Sequence, residues 1–297
     1  MSPSPLKERS GAVSLPTGKG LVIWGGLQGE DTTASADGAI YDVQSDKWSE
    51  LPSSPLEGRH DAAGAFLDGK VLIYGGEADA FEVFGDGAVL DTETMVWQTM
   101  PASPLGPRVS PASVAVSGKW FIWGGFAGMG GRELRDGAIY EAGRWSVMAS
   151  LPESMKAPYA PEGFWTGREL LLLGGELGVR NSHLLYGYEP GSGAWRQIRV
   201  PFLGDNVRVE ALWAGDRLLV WGAGPPFEYL PESDEWRRYA LESAFLERVD
   251  GSTVWTDEGL VVWGGSYKVP GEEFPEFAND GAVLRPQTSS GSDLGAC

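Results

Sequence analysis

One short run of residues returns six times along the chain: KGLVIWGG (19–26), KVLIYGG (70–76), KWFIWGG (119–125), ELLLLGG (169–175), RLLVWGA (217–223) and LVVWGG (260–265). Each is a β-forming apolar run closed by small residues. The markers Gly25, Gly75, Gly124, Gly174, Gly222 and Gly264 stand 50, 49, 50, 48 and 42 residues apart. A period of that length belongs to arrays of supersecondary units, each too small to bury its own apolar faces and therefore stacked against its neighbours.

A second marker runs in step with the first. Trp48, Trp97, Trp145, Trp195 and Trp236 follow their glycines by 14 to 23 residues, and Tyr41, Leu90, Tyr140, Tyr188 and Tyr229 precede them by five or seven. The sixth unit has Leu284 at the corresponding place and no tryptophan after it. Between markers each unit reads as four short antiparallel strands. In the second unit they are 61–67, 70–75, 87–91 and 95–100, separated by Asp68–Gly69, the acidic loop 77–86 and the turn 91–94. These separators are rich in the residues that favour turns.

The expectation is an all-β chain: a six-bladed β-propeller of four-stranded antiparallel blades, forming a single domain over 1–297. Its units are approximately 9–58, 59–107, 108–157, 158–205, 206–247 and 248–297. Paired glycines at the end of the second strand fit a place where neighbouring backbones crowd. The outer tryptophans fit as wedges between blades.

Composition agrees with this reading. The 43 glycines and 20 prolines keep no three-residue period and accompany 42% hydrophobic residues, which suits many tight turns around a packed core. A formal charge of −18 repels nucleic acid phosphates and anionic membrane surfaces. Neither is expected as a partner. Cys297 is the single cysteine, so no intrachain disulfide and no multi-cysteine metal site is expected. No apolar run is long enough to span a membrane, and residues 1–20 contain no signal-like apolar stretch. A chain complete as given is expected in the cytoplasm, as a monomer.

These glycine pairs, with an arginine before the first strand and tyrosine and tryptophan after the pair, resemble the kelch-repeat β-propeller family in its bacterial style. The pairs Gly25–Gly26, Gly75–Gly76, Gly124–Gly125, Gly174–Gly175 and Gly264–Gly265 match the signature, and Gly222-Ala223-Gly224 departs from it. The resemblance covers residues 9–286. It implies the propeller fold and leaves activity open. Kelch relatives that are copper oxidases use a tyrosine linked to cysteine, which Cys297 and two histidines in separate units do not supply. Sialic acid epimerases are also six-bladed kelch proteins, so an acid–base enzyme acting on an acidic sugar stands as the alternative, with Glu210 as its candidate base. The sixth blade is expected to keep three sound strands, with its outermost strand absent, short or contributed by residues 2–8.

Sixteen residues before the glycine markers stand Arg9, Arg59, Arg108, Pro158, Asn206 and Arg248. Strand reversal places this position and the loop after the second strand at one end of every sheet. Two readings stay open: guanidinium groups facing an anion-binding mouth, or arginines paired within the chain to hold it together. The second loops vary in length around a regular scaffold, which is where binding specificity is most easily built. Phe81 and Phe84 in the second unit, and Tyr267, Phe274 and Phe277 in the sixth, are candidate anchors for a protein, peptide or glycan, or else aromatics that fold back over blade edges.

His60 and His183 fall in nonadjacent units, and His60, directly after Arg59, matches a position often filled by histidine in kelch repeats and is read as structural. No metal site and no cofactor are expected. The recurring Asp37–Gly38, Asp86–Gly87, Asp136–Gly137 and Asp280–Gly281 are read as turns in which aspartate accepts backbone N–H bonds and glycine eases the bend. The favoured function is a noncatalytic recognition module that binds through the arginine-bearing face.

Overall fold

The computed structural model describes residues 2–29, 33–128, 131–176, 179–201, 209–222, 224–239, 252–256, 259–264, 266–267, 276–277 and 280–284. The chain divides into two compact units, Met1–Leu177 with Leu184–Ile198, and Gly178–His183 with Arg199–Cys297.

The larger unit is built from sheets whose strands pair in chain order, each with its neighbour and all antiparallel. The first sheet runs Val13–Pro16, Gly20–Trp24, Gly38–Asp42, Lys47–Glu50. The second runs Ala63–Leu67, Lys70–Tyr74, Gly87–Asp91, Val96–Thr99, within two residues of the boundaries expected from sequence. The third is Ala112–Val116, Lys119–Trp123, Gly137–Glu141, Arg144–Val147, and the fourth is Tyr159–Trp165, Leu170–Glu176, Val179–Glu189, Ala194–Ile198.

Apolar residues run unbroken through the second strands because both faces of each sheet are covered. Successive side chains alternate between faces. Val71 and Ile73 therefore join Val13, Val22 and Trp24 in one core, while Leu72 and Tyr74 join Trp120 and Ile122 in the next. A third core repeats the arrangement, with Phe121 and Trp123 packed on Leu170, Leu172 and Tyr186.

The outer tryptophans close these gaps. Trp97 lies 6.3 Å from Trp24, Trp145 lies 5.4 Å from Tyr74 and Trp195 lies 5.4 Å from Trp123, each reaching the end of the preceding sheet's second strand. Each indole N–H also donates to a carbonyl in the linker before its own sheet: Trp97 to Pro52 at 2.9 Å, Trp145 to Pro101 at 3.1 Å and Trp195 to Ala149 at 2.8 Å. Trp48 donates to Ser2 at 3.1 Å in the same way. Residues 2–8 thus begin as the linker equivalent of the first sheet, with Ser2 also bonded to Asp46, and they are not strand residues of the sixth.

The smaller unit contains a fifth sheet, Glu210–Trp213, Leu218–Gly222, Gly224–Leu230, Glu235–Arg238, and a sixth of three described strands, Ser252–Thr256, Gly259–Trp263, Gly281–Leu284. Leu219, Trp221, Leu260 and Val262 form their common core. In the fifth sheet the third strand follows the second almost at once, which accounts for its missing loop. Ser266–Tyr267 pairs with Glu276–Phe277 as a small separate ladder.

Candidate functional site

The glycine pairs explain how the first sheet is joined to the second and the second to the third. Gly75 and Gly76 both take left-handed backbone, at φ of 69° and 95°. The N–H of Gly75 donates to Asp86 O at 3.0 Å within the unit, and that of Gly76 donates to Arg108 O in the following linker at 2.8 Å. A Cβ on Gly75 would stand 2.7 Å from Arg108 O, and one on Gly76 would stand 2.8 Å from His60 O. Backbone from two units meets here, and no side chain fits. Gly25 and Gly26 repeat the geometry with Arg59 and Ser10. The fourth unit departs: its Gly174 and Gly175 lie within the extended strand Leu170–Glu176.

The sixteen-residue spacing seen in the sequence is a hydrogen bond. Nη1 of Arg9 donates to Gly25 O at 2.9 Å, Arg59 to Gly75 O at 3.1 Å and Arg108 to Gly124 O at 3.0 Å. Nε donates to the carbonyl two residues earlier in each case. The same guanidinium groups reach Asp37, Asp86 and Asp136 at 2.7, 2.7 and 3.1 Å.

Burial of these pairs is one-sided. The arginine side chains are 6%, 0% and 1% exposed, and their aspartates 55%, 61% and 41%. The positive partner is sunk into the sheet end and the negative partner faces solvent. Burial pushes the Asp37 carboxyl up, but hydrogen bonds from Arg9, Ser35 and Gln28 and the Arg9 charge together hold it below the usual aspartate range. Arg59 also lies over the Phe84 ring, 4.0 Å from its centroid.

The Asp-Gly steps require a correction in their local reading. The Asp37, Asp86 and Asp136 carboxylates accept from arginine side chains. Glycine is required because a Cβ on Gly38, Gly87 or Gly281 would lie within 2.6 Å of a carbonyl of the second strand, and on Gly137 within 2.5 Å of the Trp123 ring.

The remaining sequence candidates separate. Phe84 folds back beneath Arg59, whereas Phe81 stands exposed at the tip of a short 3-10 turn, Asp79–Phe81. Pro158 fills the arginine position of the fourth unit and is buried. Glu210 is half-buried at the start of the fifth sheet's first strand, opposite Trp221. Tyr267 and Phe277 have described backbone only, in the small ladder. Asn206, Arg248, Phe274 and Gly265 lie outside the described residues. His60 pairs through Nδ1 with Asp61 at 2.8 Å, and burial lowers the pKa of His183. Among the described residues no group of three histidine, cysteine, aspartate or glutamate side chains could hold a metal ion.

Sequence reading missed two features at this end of the larger unit. Phe126 packs on Tyr159 with ring centroids 4.6 Å apart, leaving Tyr159 42% exposed. Glu77 is 5% exposed, and its Oε1 has no hydrogen-bond partner among the described residues. Alignment of the units offered no clear signal for Glu77, because the residue after the glycine pair is Leu27 in the first unit and Phe126 in the third but Glu176 in the fourth.

Repeated four-stranded sheets, joined through paired glycines and a buried arginine and wedged by an outer tryptophan, define a kelch-type repeat domain. Residues 11–222 match the KLHDC2/KLHL20/DRC7 kelch-repeats domain, and the chain belongs to the kelch-repeat family. No curated protein matches it. Kelch-repeat domains in general bind protein or glycan partners. No described helix is long and apolar enough to cross a membrane.

Proposed function

We propose that this chain is a noncatalytic recognition module, a single domain of six blades, which binds a protein or glycan through the end of the sheets that carries the arginine linkers and the second loops. The exposed carboxylates above the buried arginines are the observation that carries this reading. Arg9, Arg59 and Arg108 stiffen the face from beneath, and Asp37, Asp86 and Asp136 with the loop aromatics make the contacts. Asn206, Arg248, Tyr267, Phe274 and Phe277 are proposed as further binding residues from their places in the fifth and sixth repeats of the sequence alone. Carboxylates on a support that is already ordered lose little side-chain freedom on binding, which favours affinity.

The test is a screen of the intact chain on peptide and glycan arrays, followed by hydrogen exchange with the best binder. Protection is expected in 33–37, 77–86 and 126–136. Protection confined to the opposite turns, 17–19, 43–46, 68–69, 92–95 and 117–118, refutes the assignment of the face.

A further inference from the structure

The outer strand of the second sheet, Val96–Thr99, is an open sheet edge that its own sequence does not guard. It stands last in its sheet and pairs on one side only. Gln98 lies opposite Val89 and Val96 opposite Asp91, and the Met100 N–H donates to Gly87 O at 2.8 Å. The hydrogen-bonded positions are therefore Val96, Gln98 and Met100, and the alternation of an antiparallel ladder turns the N–H and C=O groups of Trp97 and Thr99 outward. Among the described residues these outward groups have no hydrogen-bond partner.

An open edge is a template for a further strand, and proteins commonly block it with charged side chains. The other described outer strands carry them: Lys47 and Glu50 in the first sheet, Arg144 in the third, Arg196 in the fourth, and Glu235, Arg237 and Arg238 in the fifth. Val96–Thr99 reads VWQT and has none. Val96 is 52% exposed, and Gln98 and Thr99 are exposed beside it.

The same strand lines a groove. A cleft of ≈ 720 Å³, open to solvent, has Met95–Thr99 as one wall and the linker Pro52–Pro55 as the other; ligand clefts usually enclose about 300–1,000 Å³. Its walls are tied in place, because the Trp97 indole donates to Pro52 O at 2.9 Å and the Leu56 N–H donates to Ser54 Oγ at 3.0 Å. A wall that is already ordered costs little to order on binding.

Charge selects the occupant. Residues 50–57 and 93–101, which form and flank the groove, include the exposed Glu50, Glu57 and Glu93 and contain no lysine or arginine. The matching stretches carry Lys7 and Lys47 in the first unit and Arg144 in the third. A second copy of this chain, with a net charge of −18, would bring like carboxylates to the edge and be repelled. A basic segment is attracted.

We propose that the Trp97–Thr99 edge is a strand-addition site for an extended basic segment of a partner protein. The segment's main chain pairs with Trp97 and Thr99, and its lysine or arginine side chains lie toward Glu50, Glu57 and Glu93. This outer edge is a different surface from the arginine-bearing end of the sheets, so the assignment goes beyond the recognition reading.

The test titrates the isotope-labelled intact chain with the acetylated, amidated peptide KVTVK. Two controls run in parallel: EVTVE, and KVTVK with its three central residues N-methylated, which keeps the charge and removes the main-chain donors. Saturable amide shifts at 52–55 and 95–99 are expected with KVTVK, together with slowed hydrogen exchange at the Trp97 and Thr99 N–H groups. EVTVE should bind about tenfold more weakly, and the N-methylated peptide should give no response. Thr99→Pro removes an outward donor and leaves the ladder intact, as proline allows at an edge; it should melt with the parent chain and lose the response. Gln98→Lys supplies the missing guard charge and should weaken binding about tenfold. If Thr99→Pro fails to fold, Gln98→Lys decides alone. Absence of shifts with KVTVK, equal binding of either control peptide, or a response that survives the folded variants overturns the site. Self-association of the free chain that Gln98→Lys abolishes assigns the edge to a second copy and also overturns it.

Discussion

Removing the guanidinium of Arg108 while keeping its bulk, as in Arg108→Met, isolates what the buried cation contributes. The side chain is 1% exposed and donates to Gly106 O at 3.2 Å, Gly124 O at 3.0 Å and Asp136 Oδ1 at 3.1 Å. Methionine leaves the Gly106 and Gly124 carbonyls without that donor in a place water reaches poorly, at about 1–3 kcal/mol each, while Asp136 O, which Arg108 also reaches at 3.4 Å, keeps its bond from the Gly124 N–H. The ion pair itself adds little, because Asp136 is 41% exposed and the solvent screens its charge. The expected loss is therefore about 3–5 kcal/mol, within the range for breaking a buried charged group from its partners. Asp136→Asn, which removes the charge and keeps an acceptor, should lose no more than about 1 kcal/mol. Equilibrium urea unfolding of the two variants, followed by tryptophan fluorescence, measures both. Equal losses, or a loss below about 1 kcal/mol for Arg108→Met, would refute the view that carbonyl bonding, and not the exposed salt bridge, is why arginine stands there.

Gly76→Ala should cost roughly 2–4 kcal/mol, since its Cβ would meet both His60 O and the Ala62 side chain. Gly69→Ala, also left-handed but with nothing within 4 Å, should cost about 1 kcal/mol; thermal melts of the pair separate collision from backbone strain. Trp97→Phe keeps the wedge and loses the bond to Pro52 O, an expected loss of about 1 kcal/mol by urea unfolding, and an unchanged midpoint would count against it. Asp37 has a folded-state pKa below its unfolded value, so its stabilising effect is complete above the ordinary aspartate pKa of about 3.9 and is lost as pH falls through the lower folded value. Asp37→Asn should therefore be less stable than the parent at pH 6, with the gap closing below about pH 4; a gap independent of pH would refute the linkage.

Much of the strand pattern could be read from the chain because each unit repeats the same short-range instructions. Apolar runs mark second strands, turn residues mark hairpins, and tryptophan marks the outer strand, as the second sheet shows almost residue by residue. The site was less legible. Phe81 and Phe84 are both aromatic residues of one acidic loop, yet one points to solvent and the other lies under Arg59, a difference set by a guanidinium about 25 residues away in sequence. The reading of Asp37 as a simple turn residue missed Arg9 for the same reason: their contact spans 28 residues.

By itself the sequence determined that this chain is an array of small sheets, where each unit starts, and that an arginine stands sixteen residues before a glycine, because those properties are periodic and written in local order. The tertiary structure alone decided that Arg59 and Arg108 are buried while their aspartates face outward, and that Glu77 is enclosed without a partner. Spacing fixes where a residue stands along the chain. The direction of its side chain and its access to water depend on backbone brought in from the next unit, which the residue's own neighbours in sequence do not encode.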